Sequence, residues 1–113
     1  MLAAPFCAGI RGDFGAEIIK VEIPGGGDPF RRFGPMTETG ASLNWLNEAR
    51  NKKSITLDLR KPAGAALLKR LVADCDILVE NFRAGTRKRW GLGFDVLKAV
   101  KPDLILVRIS AYG

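Results

Sequence analysis

The chain has 113 residues, of which 47% are apolar and 27% charged, and its net charge is +6. That balance suits one small folded domain and excludes a disordered segment. With no histidine and only Cys7 and Cys75, the residues offer no Ser-His or Cys-His catalysis, no disulfide framework and no zinc centre.

The opening residues, Pro5 to Phe14, read as a helix weakened by Gly9 and Gly12, each costing about 1 kcal/mol relative to alanine. Ile18-Ile19-Lys20-Val21-Glu22 is a short β-branched run that Pro24 and Gly25 to Gly27 stop, hence a strand. From Ile23 to Leu43 runs a connection longer than compact domains normally use, which points to a functional or covering segment. Ser54 to Leu59 alternates polar and apolar residues and reads as a second strand. Pro62 to Ala73 is a helix with proline in its first turn, and Leu67, Leu68, Leu71 and Val72 are expected on its inner face. Asp76 to Glu80 and Leu104 to Ile109 are buried-strand patterns. Between them Phe94 to Val100 reads as a short helix that buries Phe94, Leu97 and Val100 and stops at Pro102. The two cysteines are expected to be small buried thiols.

Strands alternating with helices predict an α/β fold with a mainly parallel sheet. Ligands of such sheets gather outside the carboxyl ends of the strands, which here carry Glu22, Asp58, Glu80-Asn81 and Ser110. Both ends of the chain read as cut: no strand precedes the first helix, and the last strand stops as it reaches the ligand edge. No apolar run approaches the ~20 residues of a membrane span, and the N-terminus lacks a signal-peptide pattern, so a cytoplasmic location is expected.

The surplus positive charge favours an anionic partner. The run Val21-Glu22-Ile23-Pro24-Gly25-Gly26-Gly27-Asp28 is not a phosphate loop of the Walker type, because Asp28 and Pro29 stand where lysine and a hydroxyl residue are required. Gly9, Gly12 and Gly15 precede the strand and so do not form a dinucleotide fingerprint either. The glycine run is therefore expected to be a sharp strand exit. Arg83, Arg87, Lys88 and Arg89 follow the strand that ends at Glu80-Asn81, and Arg60 follows Asp58. A solvated charged face is the plain reading; guanidiniums converging on a phosphate from neighbouring loops are the functional one. Phe82 and Trp90 flank the basic run as single-strand nucleic-acid binders require, yet Asp74, Asp76 and Glu80 stand close by and no RNA-binding signature is present, so no nucleic acid is expected. Glu80 could be a catalytic carboxylate; a salt-bridged glutamate is the favoured reading.

Four segments, "DFGAEIIKVEIPGGGDPFRRFGP", "RNKKSITLDLRKPAG", "CDILVENFRAG" and "WGLGFDVLKAVKPDLILVRISAYG", together resemble the N-terminal part of the family III CoA-transferases (CaiB/BaiF type). The resemblance spans nearly the whole chain in unbroken order. It implies a Rossmann-like α/β domain that binds coenzyme A at its sheet edge, here residues 1–113 as an incomplete part lacking the first strand. It implies an intertwined homodimer and an enzyme that moves CoA between an acyl-CoA and a carboxylic acid. It further implies an aspartyl nucleophile that passes through anhydride and thioester intermediates. Position by position, Thr56, Leu57, Leu59 and Arg60 match residues at the nucleotide end of CoA. Asn81 and Phe82 match residues lining the cleft, Arg89 with Trp90 an arginine near the CoA phosphates, and Leu2 and Ala3 the segment near the thiol. Arg31 and Arg32 fall in the long covering segment.

Three departures accompany the match. Ile23 stands where many members place a CoA-contacting arginine. Ala3-Ala4-Pro5 lacks the glycine common in the first helix. The catalytic aspartate matches sequence beyond Gly113, so residues 1–113 are expected to be inactive alone and to self-associate through uncovered apolar faces. An acyl-CoA racemase of the same fold and a non-catalytic CoA-binding module are the alternatives. No metal and no permanently bound cofactor are expected, with CoA or acyl-CoA entering as substrate.

Overall fold

The computed structural model describes residues 2–110, which form two compact units that divide between Thr56 and Leu57. In the first, helix α1 (Ala3–Asp13) leads to strand β1 (Ile18–Glu22), a 3-10 turn (Pro29–Arg32), helix α2 (Leu43–Ala49) and strand β2 (Lys52–Thr56). β1 and β2 pair in parallel, with Ile18 opposite Lys52 and Glu22 opposite Thr56. The second unit runs α3 (Pro62–Ala73), β3 (Ile77–Glu80), α4 (Thr86–Arg89), α5 (Phe94–Val100) and β4 (Ile105–Arg108). There β3 and β4 pair in parallel, Ile77 opposite Ile105 and Glu80 opposite Arg108. The expected α/β fold with parallel strands is present, and within each unit helical segments bridge a parallel strand pair, as a parallel connection requires.

Several boundaries differ from the sequence reading. β2 starts two residues earlier and stops at Thr56 rather than Leu59, because Asp58 begins a turn: its carbonyl accepts the Lys61 N–H at 3.0 Å. Helix α1 begins at Ala3, not Pro5. The connection after β1 is not structureless, since it holds the 3-10 turn, a bridge between Met36 and Ser42, and α2. Ser42 caps α2 by accepting the Trp45 N–H at 3.2 Å, the usual role of serine at a helix start.

The core of the second unit is formed by Ala65, Leu68, Val72, Leu92, Leu97 and Leu104. Leu68 and Val72 face inward as expected, but Leu67 is 45% exposed, and Phe94 and Val100 also lie largely outside. On α5, only seven residues long, Leu97 alone reaches the core. The thiols of Cys7 and Cys75 are half-buried rather than buried. Gly64, in the first turn of α3, lets the helix lie against the segment before it: a Cβ there would meet the Asp58 carbonyl oxygen at 2.1 Å.

Candidate functional site

Glycine opens the exit from β1, as the sequence predicts. Gly25 and Gly27 adopt φ of +81° and +63°, the left-handed region that glycine enters without steric cost. The chain then folds back on the end of its own strand. Glu22, 4% exposed, accepts two hydrogen bonds from Arg31, at 2.8 and 2.9 Å. It also accepts the Asp28 N–H at 2.8 Å and the Ser54 hydroxyl at 2.5 Å. Chiefly the Arg31 hydrogen bonds, with those from Ser54 and Asp28, hold its carboxyl down to about 2. Arg31 also lies over the Trp45 ring at 4.0 Å, and Arg32 donates to the Gly26 carbonyl at 2.7 Å. The two arginines of this loop are thus engaged within their own unit. Asp28 holds Lys20 at 2.7 Å, leaving no phosphate cradle here.

Seven of the eight residues expected to contact the nucleotide handle lie in the second unit; Thr56, exposed, ends the first. Leu57 and Leu59 are half-buried in the segment leading to α3. Arg60 is already partnered. Its Nε and Nη2 bind the two Asp58 oxygens at 2.8 and 2.9 Å, and its N–H donates to Asp58 Oδ1 at 3.1 Å. Asp58 is held below the usual carboxylate range, mainly by the Arg60 hydrogen bonds. The Arg60 side chain remains 60% exposed, but its charge is offset locally.

The turn after β3 is the better built of the two regions. Asn81 and Phe82 leave the strand end, and Gly85 at φ +77° turns the chain into α4. That one-turn helix, too short for the sequence pattern to reveal, places Arg89 and Trp90 back beside the strand exit. The Phe82 and Trp90 rings meet edge to face with centroids 5.3 Å apart. Edge-to-face pairs of this kind contribute about 1 kcal/mol beyond their burial. Among the described residues neither the Asn81 amide nor the exposed Arg89 guanidinium has a hydrogen-bond or ion-pair partner. Unspent donors thus adjoin, in sequence, an aromatic pair that follows the carboxyl end of a parallel strand, where α/β folds gather ligands.

Beneath this turn lies a charge cluster that the sequence reading only partly foresaw. Glu80, 5% exposed, is the expected salt-bridged glutamate. It binds Arg87 Nε at 3.0 Å and Arg108 Nε at 2.7 Å, and accepts the Phe82 N–H at 3.0 Å. Arg87, read with its neighbours as part of a solvated or ligand-binding run, is instead buried at 4% exposure. Burial pulls its pKa down despite the Glu80 charge. Arg87 points inward while Lys88 and Arg89 are exposed, the consequence of a helical turn, which a bare charge run does not disclose. No group of metal-ligating side chains occurs among the described residues, and no helix there is long and apolar enough to cross a membrane.

Comparison with known proteins matches this arrangement to a family. The profile of CoA-transferase family III covers residues 1–113. Over 113 residues the chain is 54% identical to the succinyl-CoA–L-malate CoA-transferase beta subunit of Chloroflexus aurantiacus, covering all of this chain and 28% of the relative. It is 42% identical to the human succinyl-CoA:glutarate CoA-transferase, again over the whole chain and 26% of that protein. Among solved structures, a CaiB/BaiF family protein from Brucella suis superimposes with a TM-score of 0.90 at 39% identity, over 99% of this chain and 30% of the other. A hypothetical protein from Mycobacterium tuberculosis gives the same score at 38% identity and the same coverage. The chain thus spans little more than a quarter of the curated relatives' length. With its parallel strand pairs and its profile match along every residue, the chain belongs to CoA-transferase family III.

Proposed function

We propose that the full-length protein transfers CoA from an acyl-CoA to a carboxylic acid, and that residues 1–113 supply part of its CoA-binding surface. The observation that carries this reading is the turn after β3, where Asn81 and Arg89, the chain neighbours of Phe82 and Trp90, have no partner among the described residues and the two rings meet. Aromatic rings suit the adenine face, and an unpaired guanidinium suits a phosphate. Arg60, Leu59 and Leu57, of the same unit, complete the surface, Arg60 with its charge moderated by Asp58. The nucleophile is an aspartate outside these residues: it displaces CoA from the acyl-CoA to give an acyl anhydride, and the CoA thiolate then attacks the aspartyl carbonyl, releasing the donor acid and leaving an aspartyl-CoA thioester. Relatives are named for succinyl-CoA paired with malate, citramalate or glutarate, so succinyl-CoA as donor and a dicarboxylic acid as acceptor are proposed here. The active form is a homodimer.

The test is direct. Full-length protein incubated with succinyl-CoA and L-malate, or glutarate, is expected to give the acceptor's CoA thioester and free succinate in equal amounts. A peptide carrying covalent CoA should be trapped on an aspartate. Racemisation at the α-carbon of a branched acyl-CoA with no exchange of CoA would overturn the transferase reading in favour of a racemase.

A further inference from the structure

The turn after β3 depends on a buried carboxylate. Glu80 closes β3, and its two oxygens have separate tasks. Oε2 accepts the Phe82 N–H at 3.0 Å, fixing the backbone from which the Phe82 ring projects. Oε1 faces two guanidiniums, Arg87 at 3.0 Å from α4 and Arg108 at 2.7 Å from the end of β4. Arg108 is 46% exposed and keeps water on one side. Arg87 does not: its Nε, Nη1 and Nη2 are all inaccessible and lack a well-directed hydrogen bond. Its proximity to Glu80 is therefore the main compensation for burying a cation, an arrangement in which losing the partner is costly.

Arg87 in turn fixes the far side of the turn. Its carbonyl accepts the N–H groups of Trp90 at 3.0 Å and of Leu92 at 2.9 Å, and Leu92 is fully buried. One carboxylate thus secures Phe82 directly and Trp90 through Arg87, and these are the two rings that meet at 5.3 Å. We propose that Glu80 is a positioning residue for CoA, holding the turn 81–90 in its binding shape through the Phe82 N–H and the buried Arg87. The inference rests on the CoA reading given above. A catalytic role for Glu80 is not involved, since the carboxylate is buried and both oxygens are occupied.

The substitution Glu80→Gln keeps an acceptor for the Phe82 N–H but leaves Arg87 without its counter-charge. In the full-length protein it is expected to weaken CoA binding at least fivefold and raise KM for acyl-CoA in proportion, with kcat at saturation within twofold. The double substitution Glu80→Gln/Arg87→Met, which removes the orphaned cation, should recover most of that affinity. Should Glu80→Gln not fold, Glu80→Leu/Arg87→Met deletes the acceptor in a neutral setting and is expected to bind CoA at least threefold more weakly than Arg87→Met. A folded Glu80→Gln protein with a lowered Tm but unchanged CoA affinity would overturn the proposal and leave Glu80 purely structural. So would equal CoA affinities for Glu80→Leu/Arg87→Met and Arg87→Met. Arg89→Ala and Phe82→Ala are measured alongside. If both bind CoA as the wild type does, the CoA reading itself fails; if they are weakened while Glu80→Gln is not, only the positioning role fails.

Discussion

A glutamate ends the first strand of each unit, and each is paired with an arginine from the short helical turn that follows: Glu22 with Arg31, Glu80 with Arg87. The pairs differ in their access to water. Arg31 is 39% exposed and stacks on Trp45, whereas Arg87 is enclosed. Glu22 therefore gives the cleaner pH signature. Its folded pKa of about 2 lies below the ordinary 4.5, so its contribution is present above pH ~4.5 and is lost as pH falls toward 2. The gap corresponds to about 3 kcal/mol, reduced to about 2 by screening at the exposed Arg31. Urea denaturation of wild type and Glu22→Gln should differ by that amount at pH 7, and the difference should shrink as pH falls from 4.5 toward 2. A difference that stays constant with pH would contradict the assignment.

At the scale of elements, the tightest constraint is the approach of α3 to the turn at Asp58. The 2.1 Å that a Cβ at Gly64 would leave to the Asp58 carbonyl cannot be met by a side-chain shift, because the obstacle is backbone. Gly64→Ala is expected to destabilise the protein by about 3 kcal/mol, as overpacking does, and to disturb the Leu57–Arg60 segment. Thermal unfolding checks the first, and an unchanged Tm would show that α3 can move away. These elements also mark what a reader of sequence could and could not see. β1, α3 and α5 have the predicted bounds, because Pro24, Pro62 and Pro102 punctuate them. β2 was read too far, since Leu57 and Leu59 continue the alternation after the backbone has turned at Asp58. α2 carried a legible signal in its Ser42 cap. α4 did not: four residues with three cations have no apolar period to read. For that reason the burial of Arg87 is not legible in the run of cations to which it belongs.

For the molecule as a whole, the +6 charge is not spread evenly over function. Arg31, Arg50 and Arg60 are spent on Glu22, Asp13 and Asp58, and Arg87 and Arg108 share Glu80. Arg89 is exposed and has no such partner among the described residues, and it stands beside the aromatic pair. Arg83 in the same turn is likewise exposed and unpartnered among the described residues, but Arg89 is the arginine proposed to meet phosphate. The most direct test of that role is calorimetric titration of the full-length protein with CoA, comparing wild type with Arg89→Ala. Loss of a charge-assisted contact to phosphate should weaken binding about tenfold, with the fold retained by circular dichroism. Equal affinities for the two proteins would show that Arg89 is surface charge and that CoA is held elsewhere.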